Sequence, residues 1–215
     1  MLKAIILDMD GVMIDTEKLY AIFWKKAIEY YGYHPTHEFL MKLRSLARPL
    51  GDRLFKETFG EAADYYAIRE KRLELMNAYI DEHGVEMKQG LIELLTDAKN
   101  KGVKLGVATA TDEVRTKRYL NQLHIIEFFD VIVCGPQVAH GKPAPDIYLR
   151  ACELLEEEPK NCLALEDSPN GIMSAYNAGC RVIMIPDQEE PEKELYQYFE
   201  QKVTSLSEIK LDISD

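Results

Sequence analysis

From Met87 onward the chain alternates short aliphatic runs with amphipathic stretches, and this rhythm limits the possible folds more than any other feature. Leu91–Leu95 belongs to a helix ending near Lys101-Gly102, with glycine as terminator. Val103 to Ala108 reads as a strand, Asp112 to about Leu123 as a helix, and Val131–Val133 as a strand. Asp146 to Glu157 is the next helix and Leu163–Leu165 the next strand. Ser168-Pro169 has the form of an N-cap serine followed by proline in the first turn, opening a helix that ends at Gly179. Val182–Ile185 is a further strand, and one helix and a short final strand are expected beyond Pro186. Strands separated by helices build βαβ units, hence a mainly parallel sheet covered on both faces. The isolated apolar run Ala4–Leu7 is stable only as another strand of that sheet.

The stretch between behaves differently. Leu19, Ile22, Phe23 and Ile28, and later Leu73, Met76 and Ile80, fall near a 3.6-residue period from Glu17 to about Gly84. Pro35 and Pro49-Leu50-Gly51 break this run into several helices. The predicted organisation is an α/β core of residues 1–15 and 85–215, interrupted by an all-helical insert of residues 16–84.

Composition removes several classes of function. A net charge of −11 disfavours nucleic acid, whose phosphates need a basic surface. Acid runs such as Glu156-Glu157-Glu158 and Glu189-Glu190 read as solvated faces. Cys134, Cys152, Cys162 and Cys180 form no C-x-x-C pair, and no histidine stands at zinc-ligand spacing from them. They read as small core hydrophobes in a reducing compartment. No apolar run approaches the roughly 20 residues of a bilayer span, and no secretory signal precedes the first strand. The expected location is cytoplasmic.

In open parallel sheets, ligands bind beyond the carboxyl ends of the strands. The first strand delivers Asp8 and Asp10 there, with Gly11 allowing a sharp turn. The strand ending at Ala108 delivers Thr109 and Thr111, the loop from Gly135 delivers Lys142, and the strand ending at Leu165 delivers Glu166 and Asp167. Two unit charges ~4 Å apart repel by about 4 kcal/mol at an effective dielectric of ~20, so converging acids call for a cation. Oxygen ligands beside an anionic substrate favour Mg²⁺. Carboxylate, Mg²⁺, lysine and hydroxyl are the parts that phosphoryl transfer uses.

These residues carry a family resemblance. Asp8-Met9-Asp10-Gly11-Val12-Met13-Ile14-Asp15-Thr16 resembles the first motif of the haloacid dehalogenase superfamily. Thr109 within Val107-Ala108-Thr109-Ala110-Thr111 resembles the second, and Gly141-Lys142-Pro143-Ala144-Pro145-Asp146 the third. Glu166-Asp167-Ser168-Pro169-Asn170-Gly171 resembles the fourth. All stand in the family's order from the first strand to about Asp187, and the helical insert after the first motif is similar to the β-phosphoglucomutase-like branch. The resemblance implies a Rossmann-like three-layer core with an all-helical cap.

It also implies roles. Asp8 is the nucleophile that becomes an aspartyl-phosphate. Asp10 is the general acid, then the base that activates water. Asp8, the Asp10 main-chain carbonyl and Asp167 hold Mg²⁺, with Glu166 assisting. Thr109, the Ala110 amide and Lys142 bind the phosphoryl oxygens. Thr111 reads instead as an N-terminal helix residue, and His140 as structural. True dehalogenases have no acid two positions after the nucleophile, and a phosphonatase would likewise lack it, so Asp10 disfavours both chemistries. Phosphomutases of the branch carry histidine where Tyr20 stands, which favours a phosphatase over a mutase. A non-catalytic protein on this scaffold would lack a catalytic residue, and none is missing.

Since the core motifs touch only phosphate and metal, substrate choice is assigned to the insert. Tyr20, Arg44 and Arg48 are the candidates, with Trp24 divided between that role and the core. The expected partner is a small phosphorylated metabolite, sugar-like or nucleotide-like, met by a monomer without nucleic acid or membrane.

Overall fold

The computed structural model describes residues 1–43, 48–186 and 191–211, with only the backbone described at Glu17 and Arg48. Strands β1 (Ala4–Leu7), β2 (Lys104–Thr109), β3 (Val131–Cys134), β4 (Cys162–Glu166), β5 (Arg181–Met184) and β6 (Gln201–Lys202) form one sheet. Their order is β3-β2-β1-β4-β5-β6, and every neighbouring pair is parallel. The helices are α1 (Glu17–Tyr30), α2 (His37–Leu43), α3 (Arg48–Phe59), α4 (Tyr65–His83), α5 (Leu91–Asn100), α6 (Glu113–Gln122), α7 (Asp146–Leu155) and α8 (Pro169–Asn177). The result is the Rossmann-like α/β fold that the alternating pattern predicts.

Parallel pairing requires long crossovers, and the helices supply them. Ala4 and Ile6 join a buried cluster with Ala108, Ala164, Ile147 and Tyr148. Ile5 and Leu7, pointing to the other face, are equally buried, so the sheet is covered on both sides. Each such aliphatic side chain contributes roughly 1.5–3 kcal/mol on leaving water. All four cysteines are free and buried. Among the described residues, no helix is long and apolar enough to cross a membrane.

The chain divides into two compact units, one of Met1–Asp15 with Val85–Asp215, the other of Thr16–Gly84. In the first unit, the segments flanking the division are tied together. The Asp15 N–H donates to the Glu86 carbonyl at 2.9 Å and the Lys88 N–H to the Met13 carbonyl at 2.9 Å, around an antiparallel bridge between Ile14 and Met87.

The second unit is helical throughout its described residues and is built on aromatic packing. Trp24, Phe39, Phe55 and Tyr65 form its centre, with Trp24 and Tyr65 stacked at 5.8 Å. Trp24 is therefore a core residue. Ile22, expected in the apolar stripe of α1, is exposed; Phe23, Trp24, Ala27 and Ile28 make that stripe instead. In α4 the buried stripe Ile68, Met76, Ile80 contains Arg72.

The helix expected beyond Pro186 is replaced, among the described residues, by a 3-10 segment at Lys193–Tyr198. Leu195 is the one residue of that segment buried, so no apolar stripe holds an α-helix against the core. The short final strand forms as β6.

Candidate active site

The strand order reverses between β1 and β4, and a crevice forms at such a reversal beyond the carboxyl ends. Asp8 leaves the tip of β1 and Glu166 is the last residue of β4, so the topology alone brings residues 8 and 166 together. The Asp8 N–H still continues the ladder, donating to the Leu165 carbonyl at 3.0 Å. Gly11, at φ +86°, then turns the chain, its N–H donating to the Ile14 carbonyl. A Cβ on Gly11 would lie 2.1 Å from Asp167 Oδ2, so glycine also makes room for that carboxylate.

Lys142 reaches this point from the loop before α7 and is almost fully buried. Its Nζ donates to Asp8 Oδ1 at 2.5 Å, to Glu166 Oε1 at 2.5 Å and to the Ala108 carbonyl at 3.0 Å. A solvated loop lysine would make none of these bonds. Burial works against the ammonium, but the charges of Asp8 and Glu166 and the bonds to both overcome it and raise its pKa. Burial foremost pushes the Asp8 carboxyl up to about 8, Lys142 opposing and the charges of Glu166 and Asp10 adding. A single ammonium does not balance this group of acids.

Glu166 is wholly buried and heavily bonded. Besides Lys142, its Oε1 accepts from the Tyr148 hydroxyl at 2.8 Å. Oε2 accepts from the Asp167 N–H at 3.2 Å and the Ser168 hydroxyl at 3.3 Å. The Ser168 oxygen in turn accepts from the Gly171 N–H, capping α8. A Cβ on Gly171 would sit 2.0 Å from the Glu166 carboxylate, so this glycine is needed for close approach. Carboxylate oxygens of Asp8, Glu166 and Asp167 lie within 4.8 Å of one another.

The half-buried Asp10 accepts a 2.8 Å hydrogen bond at Oδ2 from the Thr111 hydroxyl. Thr111 is thus not a helix residue as expected, since α6 begins at Glu113 with Asp112 as its N-cap. It is a contact of the site. Its N–H donates to Thr109 Oγ1, which fixes the buried Thr109 side chain, while Ala110 is exposed at the end of β2. His140 lies outside this group, its Nδ1 3.1 Å from Asp146 Oδ1.

Of the insert residues, Tyr20 is half-buried with the Arg72 guanidinium 4.6 Å from its ring centre. Arg48 opens α3, its side chain outside the described residues, and Arg44 lies outside them altogether. Sequence reasoning did not find Tyr148, Ser168 as a Glu166 partner, or Arg72. Tyr148 lies at apolar helical spacing and reads as core, whereas Arg72 interrupts the apolar pattern of α4, and only the three-dimensional partners give either its meaning. Burial first, and the charges of Glu166 and Asp8, hold the Tyr148 phenol well above its usual pKa, so it remains a donor.

Over residues 5–185 the sequence matches the family of haloacid dehalogenase-like hydrolases. The chain is 33% identical over 178 residues to the phosphorylated carbohydrates phosphatase of Thermotoga maritima, covering 83% of this chain and 82% of that one. With β-phosphoglucomutase of Bacillus subtilis it shares 31% over 188 residues, covering 83% and 80%. The crystal structure of CbbY from Rhodobacter sphaeroides in complex with phosphate superposes with a TM-score of 0.78 at 27% identity, covering 97% of this chain and 96% of that one. With the four motifs gathered around β1 and β4, and the match running through most of the chain, this protein belongs to the haloacid dehalogenase-like hydrolases.

Proposed function

We propose that the protein is a Mg²⁺-dependent phosphatase that hydrolyses small phosphomonoesters, sugar phosphates or nucleotide-like monophosphates, through an aspartyl-phosphate on Asp8. The observation that carries this reading is the buried Lys142 held between Asp8 and Glu166, with Asp167 alongside. Likeness to a phosphatase of phosphorylated carbohydrates supports the substrate class.

The residues fit a hard divalent cation. Clustered carboxylate oxygens, the space kept open by Gly11 beside Asp167, and the raised Asp8 carboxyl all suit a site designed for added positive charge. Asp8, the Asp10 carbonyl and Asp167 are the proposed holders, Glu166 assisting. When bound, Mg²⁺ supplies charge that neutralises Asp8 and the phosphoryl oxygens.

Lys142 binds one oxygen of Asp8, which leaves the other to attack phosphorus. The phosphorus–ester oxygen bond breaks as the Asp8 oxygen–phosphorus bond forms. Asp10 gives its proton to the departing oxygen, then takes one from the water that attacks the aspartyl-phosphate and releases inorganic phosphate. Lys142, Thr109 and the Ala110 amide are the proposed phosphoryl ligands. Thr111 holds Asp10 until substrate enters. Tyr20, Arg44 and Arg48 of the helical unit are proposed to select the rest of the substrate. The free, buried thiols support a reducing, cytoplasmic setting.

The test is phosphate release from p-nitrophenyl phosphate and a panel of sugar and nucleoside monophosphates, with Mg²⁺ and after chelation. Asp8→Asn is expected to lower turnover on the order of 10⁴-fold with the fold intact. Undiminished turnover in that variant, or after complete chelation, removes the mechanism. Likeness to a β-phosphoglucomutase supports a second reading, a sugar phosphate mutase. Isomerised sugar in place of free phosphate would establish it; the Tyr20 position favours hydrolysis.

A further inference from the structure

We infer that Tyr148 is a positioning residue for phosphoryl transfer, acting through Glu166 on the place that Lys142 takes beside Asp8. This rests on the hydrolase reading and adds a residue to it. Tyr148 stands in the first turn of α7, wholly buried in a cluster with Ala108, Cys152 and Ala164. Packing there needs only the ring, which phenylalanine would supply. The hydroxyl has a separate use: it donates to Glu166 Oε1 at 2.8 Å.

The same oxygen receives Lys142 Nζ, while Oε2 receives the Asp167 N–H and the Ser168 hydroxyl. A carboxylate has about four acceptor positions, and Glu166 has four donors. Its place is over-determined. The ammonium of Lys142 is similarly committed, with Asp8, Glu166 and the Ala108 carbonyl for its three protons. It therefore divides between two carboxylates, and its position depends on how strongly Glu166 Oε1 draws it.

Tyr148 sets that draw. With the phenol in place, Oε1 shares its charge between two donors. Without it, Oε1 belongs to Lys142 alone, and the ammonium shifts toward Glu166 and away from Asp8 Oδ1. The ring face, 5.3 Å from Nζ, remains in Tyr148→Phe and exerts the same attraction as before. The hydroxyl is the single difference. Lys142 is needed most as charge builds on the transferring phosphoryl group, so the loss falls on the transition state more than on the bound substrate.

Tyr148→Phe is thus expected to lower kcat on p-nitrophenyl phosphate about tenfold while KM moves less than about threefold. Binding of orthovanadate, measured by calorimetry with Mg²⁺ present, weakens in step with kcat, and Tm stays within about 4 °C of the parent. In a Glu166→Gln background the same substitution adds less than about twofold, because its route is already cut. Kinetic constants and vanadate affinity within twofold of the parent overturn the inference. So does a tenfold loss that persists unchanged in the Glu166→Gln background, or one that accompanies a larger fall in Tm, which marks a merely structural phenol. A parent protein that releases no phosphate from any ester sinks the hydrolase reading itself, whereas an active parent with an indifferent Tyr148→Phe sinks the Tyr148 role alone.

Discussion

Each unit of the molecule buries a cation, and the two do it by different means. In the sheet unit, Lys142 is held by two carboxylates and a carbonyl at hydrogen-bonding distance. In the helical unit, Arg72 lies against aromatic faces, 4.6 Å from the Tyr20 ring and 5.0 Å from the Trp24 ring, with Met76 Sδ at 4.0 Å from its Nη1. Directed bonds fix an ammonium to a few tenths of an ångström, as chemistry on a phosphoryl group needs. Ring faces hold a guanidinium over a broader area and add packing to charge. Under the proposed function the first arrangement serves reaction, while the ring contacts of the second add cohesion.

The largest test of that contrast is Lys142→Met. Removing one partner from a buried ion pair leaves charge without compensation and costs about 3–5 kcal/mol. Turnover is expected to fall on the order of 10³-fold, with a lowered Tm by calorimetry. Near-parental activity would mean that the carboxylates do not depend on the ammonium.

Gly171→Ala probes the same unit without touching charge. Its Cβ would meet the Glu166 carboxylate at 2.0 Å, forcing the acid to move. Turnover should fall by about 10- to 100-fold while the far-ultraviolet circular dichroism is retained, since alanine itself favours helix by about 1 kcal/mol. Unchanged kinetics would show that Glu166 has freedom the bonding pattern denies it.

In the helical unit, Arg72→Met is expected to lower the unfolding free energy by about 1–2 kcal/mol. Trp24 is the sole tryptophan, so its emission during urea unfolding reports this unit directly. A p-nitrophenyl phosphate turnover that collapses along with it would erase the distinction between reactive and cohesive cations.

The last effect, which leaves turnover aside, is on pH-dependent stability. The Asp8 carboxyl titrates at about 8 in the folded chain against 3.8 as its ordinary value, so the folded state holds a proton that the unfolded state releases. Its burden on stability is absent below about pH 4, grows as pH rises, and levels off above about 8. Metal-free Asp8→Asn should therefore melt above the parent by a margin that widens from pH 5 to pH 8, about 2–4 °C for each kcal/mol relieved. A margin that narrows over that range would show that Asp8 is ionised in the folded, metal-free protein.

What the sequence made legible follows the same division. Strand ends are written in aliphatic runs that stop at acids or hydroxyls, so the sequence alone directs Asp8, Thr109, Lys142 and Glu166 to one crevice. Thr111 is hidden because a hydroxyl just ahead of a helix looks like part of it, and its bond to Asp10 spans about a hundred residues of sequence. Tyr148 sits beside Ile147 and three residues before Ala151, a spacing that signals core and says nothing of a hydroxyl's partner. Arg72 breaks the apolar pattern of α4, and a periodicity reading passes over such a charge as an exposed position. Ile22 shows the converse error, an apolar residue at helical spacing that is exposed, while Lys193–Tyr198 buries Leu195 without the repeat an α-helix needs.

The hydrogen-bonded strip joining Met13–Asp15 to Glu86–Lys88 closes the sheet unit across its interruption. The excursion from Thr16 to Gly84 departs and returns through one stapled doorway, so its content places no demand on where β2 lies. An insert of another length could be joined at the same two segments without altering the register of β1 against β2.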